Sequence, residues 1–204
     1  LGTDIASATI RFDTGSSGGV GLITHNSAHD QVIVCPHADA NQTMWNSSSW
    51  LTQKQVVWEG AIQTGDSIIG ASFWAGIKKT NDAAYATDDD TQGALTTNDN
   101  LHFVYSVGGT DYITDLGVAV AADTVYRLRI EIDINRQVSV FVNDVQYGLV
   151  TSVTAGGATQ SVATTKSLAL TSGEVLKPYI GVETLTTAAK TIILFYERIS
   201  RIIG

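Results

Sequence analysis

Cys35 is the only cysteine in the 204-residue chain. One thiol cannot close an intrachain disulfide or build a Cys-rich zinc site. Its neighbours Val32, Ile33 and Val34 make it read as a buried, inert group. Charge is also scarce: 16% of residues are charged, and 12 Lys and Arg are outnumbered by 20 Asp and Glu, for a net charge of −8. A nucleic-acid binder needs clustered basic side chains, so nucleic acid is excluded as a partner, and so is an anionic membrane surface. No apolar run reaches the roughly 20 residues that a membrane-spanning helix needs. Long segments with helical apolar spacing and caps are missing as well. The chain has no P-loop, dinucleotide fingerprint or G-x-S-x-G elbow. His25, His29, His37 and His102 show no metal-ligand spacing. A chain that begins at Leu1 rather than Met reads as processed or cut from something longer.

What remains is apolar and small. The hydrophobic share is 44%, enough for a packed core and too much for disorder. Short alternating runs recur between Gly, Asn and Asp clusters, which predicts an all-β sandwich. The clearest run is 126–133: Leu128, Ile130 and Ile132 share one face, and Arg127, Arg129, Glu131 and Asp133 the other. Asn135-Arg136 turns the chain into a strand at 138–142. Asn143-Asp144, tolerant of positive φ, turns it again into 145–149. Further strands are predicted at 8–13, 21–24, 31–35, 56–63, 68–78, 101–107, 112–115, 168–170, 176–182 and 192–199. The stretches "KKTNDAAYATDDDTQGALTTNDN" and "SVTAGGATQSVATT" read as long loops. About a dozen strands suit a jelly roll of two antiparallel sheets. No linker divides residues 1–204, so one domain is expected, with 1–20 as an extended N-terminal arm.

The stretches "ASFWAGIKKTNDAAYATDDD", "VGGTDYITDLGVAVAADTVYRLRIEIDINRQVSVFVNDVQ" and "LKPYIGVETLTTAAKTIILFYERISRI" resemble the concanavalin A-like lectin/glucanase jelly-roll modules of tailed-phage and environmental viral structural proteins. The resemblance runs from about Val56 to the C-terminus. It implies a virion component: a capsid decoration protein, or a fibre or appendage domain. It would be a non-enzymatic homo-oligomer, touching the major capsid protein and attaching to host-surface glycans. A carbohydrate-binding lectin is the alternative. A glycoside hydrolase or polysaccharide lyase is the second.

The β-glucanases of that superfamily carry Glu-x-Asp-x-Glu on a strand. This chain reads Glu131-Ile132-Asp133-Ile134-Asn135 and departs at the fifth place. A retaining glycosidase needs two carboxyl groups about 5–5.5 Å apart, and Asn135 cannot act as the carboxylic acid. Glu131 and Asp133 therefore stand as weak catalytic candidates against a simpler account, the wet face of a sheet with charges paired across it. Asp133→Asn is then expected to cost less than about 1 kcal/mol.

Three other features bear on sites. Asp88, Asp89 and Asp90 fall in a loop. They are either solvated or a weak Ca²⁺ site, Ca²⁺ being the one cofactor expected and only there, because that ion favours flexible oxygen-rich loops. Trp45 and Trp50 lie in a polar segment. They fill the sandwich edge, anchor an interface or stack on sugars. Trp58 and Trp74 sit in strand-like runs and are expected in the core.

Overall fold

The computed structural model describes residues 9–12, 18–35, 54–79, 92–96, 100–152 and 162–201. They form an antiparallel two-sheet β-sandwich, a jelly roll of concanavalin A-like type. The strands are β1 (Thr9–Phe12), β2 (Val20–Ile23), β3 (Gln31–Val34), β4 (Val56–Thr64), β5 (Ala71–Lys78), β6 (Gln92–Thr96), β7 (Asn100–Val107), β8 (Thr110–Ala119), β9 (Val125–Ile132), β10 (Val138–Val142), β11 (Val145–Tyr147), β12 (Leu149–Val150), β13 (Val162–Thr164), β14 (Lys177–Thr184) and β15 (Thr191–Arg201). A seven-stranded sheet runs β1-β2-β15-β4-β9-β10-β11. A six-stranded sheet runs β3-β14-β5-β6-β7-β8, and β12 and β13 form a small pair.

The predicted meander is present as β9-β10-β11. Its alternation holds: Tyr126, Leu128, Ile130 and Ile132 are buried, and Arg127, Arg129 and Glu131 point outward. Asn143 and Asp144 take φ of 50° and 67° at the tight turn. Two strands lie where loops were expected, β6 and β13. The segment at 168–170 contributes only an isolated bridge, Gln137 to Ala169. Cys35 is half-buried rather than buried.

The core lies between the sheets. Leu22, Val56, Trp58 and Ile62 face Phe73, Ala75, Ile77, Phe103, Ile180 and Val182. Each Val, Leu, Ile or Phe among them contributes roughly 1.5–3 kcal/mol by leaving water. Tyr105 and Glu197 are two of the polar groups set into this layer among the described residues. Tyr105 is fully buried; its hydroxyl donates to the Val150 carbonyl and accepts the Leu168 N–H at 3.4 Å. Burial pushes its phenol up to about 12. Tyr105→Phe keeps the ring and orphans both backbone groups, so we expect a loss of about 1–3 kcal/mol in urea unfolding.

The second is Glu197, on the core-facing side of β15 opposite Gly60. Its Oε1 accepts the Trp58 Nε1–H at 2.9 Å. Gly60 is what admits the indole, because a Cβ there would meet Trp58 Cη2 at 2.9 Å. Burial pushes the Glu197 carboxyl up to about 7, against the smaller downward pull of the Trp58 bond.

Candidate functional site

Glu131 and Asp133 go to different partners. β9 ends at Ile132, so the Glu-x-Asp-x-Asn run is half strand and half turn. Glu131 stays on the outer face of the seven-stranded sheet, 3.2 Å from Arg129 Nε. That N–H lacks hydrogen-bond alignment, so the contact is one of charge only. The Arg129 guanidinium lies over Phe141, 4.0 Å from the ring centre.

Asp133 clasps the turn. Its Oδ1 accepts the N–H groups of Asn135 at 2.8 Å and Gln137 at 2.9 Å. Its Oδ2 accepts Lys166 Nζ at 2.7 Å. Burial pushes the carboxyl up, but Lys166 and the two N–H groups outweigh it and hold Asp133 below the usual range. The sequence placed this group on a wet strand face and missed the clasp. The stability it adds is present above the ordinary carboxylate range and lost as pH falls through its lowered value. Asp133→Asn keeps an oxygen for the N–H groups and loses only the ion pair, worth about 1 kcal/mol or less. Asp133→Ala loses both, and a denaturant melt should show about 1–2 kcal/mol.

Trp45, Trp50, Asp88, Asp89 and Asp90 lie outside the described residues. Among the described residues, no three His, Cys, Asp or Glu side chains gather as a metal site.

The structure instead gathers chemistry on the outer face of the six-stranded sheet. β14 pairs with β5 so that Lys177 faces Lys78, Tyr179 faces Gly76, Gly181 faces Trp74 and Glu183 faces Ser72. The alternate residues Phe73, Ala75, Ile77, Ile180 and Val182 belong to the inter-sheet core. Side chains alternate along a strand, so the first set points away from that core. Trp74 and Tyr179 there join Ile33 and Val104 in a second, smaller cluster, with Cys35 packed against it. Trp74 is thus buried as expected, but not in the main core.

At one end of this face Lys78 and Lys177 are 0% and 3% exposed. Lys78 Nζ sits 4.6 Å from the Tyr179 ring centre and 5.9 Å from that of Trp74. Such cation–π contacts favour a charged ammonium. The other end is open. His29, largely exposed, pairs with Glu183 at 2.9 Å. His102 Nδ1 lies 2.9 Å from the Asn100 carbonyl. A carbonyl only accepts, so Nδ1 is the donor in this contact. Asn100 also donates to both oxygens of Asp115, at 3.0 and 3.1 Å. The Gly117 N–H and then Asn100 pull Asp115 below its ordinary value; burial pushes it up, and the nearby His102 adds the smallest pull.

No protein-family model and no curated protein sequence matches the chain. Solved structures do. The endo-β-1,4-glucuronan lyase of the fungus Trichoderma reesei superposes with a TM-score of 0.59 at 9% identity, over 99% of this chain and 90% of the enzyme. Alginate lyase A1-II′, a member of polysaccharide lyase family 7, gives 0.53 at 13%, over 93% and 82%. The alginate lyase of a Corynebacterium species gives 0.54 at 12%, over 94% and 80%. At such identities the likeness carries the fold. It also corrects two expectations. The viral structural protein, with its virion and capsid roles, finds no support, because these matches are polysaccharide lyases. The non-enzymatic assignment falls with it, since they are enzymes.

Proposed function

We propose that this chain is a polysaccharide lyase that binds an acidic glycan across the outer face of the six-stranded sheet. The observation that carries this is Lys78 held over the rings of Tyr179 and Trp74, directly opposite Lys177. Ammonium groups neutralise sugar carboxylates, and aromatic rings cover the apolar faces of sugars. The lyases that share the fold act, by name, on alginate and glucuronan.

A lyase breaks the chain by elimination. A base takes the proton from the carbon that bears the carboxylate. The carbon–oxygen bond to the next sugar breaks, its oxygen leaves with a proton, and a double bond conjugated to the carboxylate remains. The hard step is the first, because negative charge builds beside a group already negative. Lys78 and Lys177 supply the countercharge, in a buried setting where it is felt strongly. The Tyr179 hydroxyl is the proton-carrying group beside them. Because both lysines and Tyr179 are buried, glycan entry has to open this face. The net charge of −8 opposes a polyanion only weakly at physiological salt, where screening sets in over about 8 Å.

The test is to incubate the purified chain with alginate, glucuronan and neutral glucans and follow ultraviolet absorbance. Lyase action gives an absorbing unsaturated product from the acidic polymers alone. Reducing ends without absorbance would make it a hydrolase. Binding with neither product would leave a lectin.

A further inference from the structure

The row that holds the two lysines continues past β5. Ile77 pairs with Gln92, and Gln92 with Tyr105, so Ser106, one place beyond Tyr105, stands in line with Lys78. Asp111 on β8 is the direct partner of Ser106. Tyr105 and Tyr112 pack into the inter-sheet core, so alternation turns Ser106 and Asp111 to the outer face, as it does Lys78. Ser106 is 1% exposed, and its Oγ is shut off from solvent with no hydrogen-bond partner among the described residues. Leaving a buried hydroxyl unpaired costs free energy, and the large majority of such groups in folded proteins have a partner. Asp111 beside it is half-buried, and no described cation pairs with it. In the next row Ile113 is 39% exposed, opposite Val104 of the small apolar cluster. The outer face thus passes from two ammonium groups to a hydroxyl, a carboxylate and an apolar side chain. By strand spacing, β7 lies about 10 Å and β8 about 14 Å from the strand of Lys78.

We propose that Ser106 and Asp111 form a sugar subsite that takes hydroxyl or amide donors and disfavours a carboxylate. The substrate is then an acidic glycan in which uncharged sugars are interspersed with uronates, rather than a uniform polyuronate. A carboxylate only accepts, so Asp111 recognises a sugar by its O–H or N–H groups. The Ser106 hydroxyl both donates and accepts, and Ile113 offers apolar cover to the face of the ring. A uniform polyuronate seated on the lysines would bring another carboxylate against Asp111, where like charges repel. This rests on the acidic-glycan assignment above; Ser106 and Asp111 add which neighbour the uronate has.

The test measures binding rather than turnover. Glucuronan oligosaccharides are compared with the same oligosaccharides after part of their carboxyl groups is reduced to alcohols, which leaves backbone and linkage unchanged. Each is titrated at constant ionic strength into the wild-type chain, Asp111→Asn, Ser106→Ala and Asp66→Asn. Asp66 is an exposed carboxylate on the turn between β4 and β5, at the other end of the strands, and controls for net charge. The wild type should prefer the partly reduced ligand. Asp111→Asn should tighten the fully acidic ligand by up to about fivefold and narrow that preference, and Asp66→Asn should not. Ser106→Ala should weaken the partly reduced ligand by about two- to tenfold with an unchanged or higher melting temperature, because its hydroxyl serves no partner in the fold. A wild type that binds the fully acidic ligand equally well or better overturns the subsite. So does an Asp111→Asn chain that behaves like Asp66→Asn, or a Ser106→Ala chain that melts well below the wild type and binds as it does. Failure to bind either ligand removes the acidic-glycan assignment and the subsite with it. The expected preference without an unsaturated product supports the subsite and removes only the lyase chemistry.

Discussion

Replacing Glu197 by Gln is expected to raise the melting temperature at about pH 8 and to leave it nearly unchanged at about pH 5. Burial lifts the folded-state value from 4.5 to about 7. For a carboxyl raised in this way, the stabilising form is the protonated one. Its contribution is complete below the ordinary value of 4.5, and it is lost as pH rises through about 7. A shift of that size corresponds to about 3 kcal/mol at most. Partial exposure of the side chain reduces this to about 1–3 kcal/mol. At about 2–4 °C per kcal/mol for a domain of this size, the gain is a few degrees or more. Glutamine keeps an oxygen for the Trp58 Nε1–H and carries no charge at either pH, so the indole stays over Gly60. The measurement is a pair of melting curves across this pH range. Wild type and variant falling in parallel would mean that Glu197 is not what titrates.

Tyr179→Phe should remove at least about 100-fold of any lyase turnover, the usual weight of a positioned acid–base group. The ring remains, and with it the packing against Ile33, Trp74 and Val104 and the seat for Lys78. The loss should therefore fall on kcat, with KM little changed. His102→Gln makes the contrast. Its imidazole lies on β7, on the same face, two strands from β5 and in line with Trp74 rather than Lys78. That variant should keep most of the activity. If His102→Gln abolishes turnover and Tyr179→Phe does not, the proton is carried at the open end and the lysines bind a different sugar of the chain.

The β9-β10-β11 meander was legible because everything that specifies it is local: period-two alternation and turn residues suited to positive φ. β6 was not. Gln92, Gly93, Ala94 and Thr96 are small or polar and resemble the loop around them; β6 is a strand because β5 and β7 flank it with paired backbone. The Glu131-Asp133 motif was visible for the same local reason, while the turn clasp and the Lys166 partner of Asp133 were not. Trp74 and Tyr179 could be seen as apolar residues in strands, and their strands do carry a signal. In both β5 and β14 the two alternating faces are buried, so neither strand has a wet side. That pattern marks a sheet covered on both faces.

The sequence by itself determined the class of fold and most of its strands, through alternation, turn chemistry and the near absence of helical spacing. Tertiary structure alone decided which strands became neighbours, and hence that Lys177 meets Lys78, that Lys78 rests on Tyr179 and Trp74, and that Glu197 finds Trp58 in the core. Alternation fixes which way a side chain points within its own strand. Register between strands distant in sequence is set by how two whole sheets bury their apolar faces against each other, and no local spacing records it.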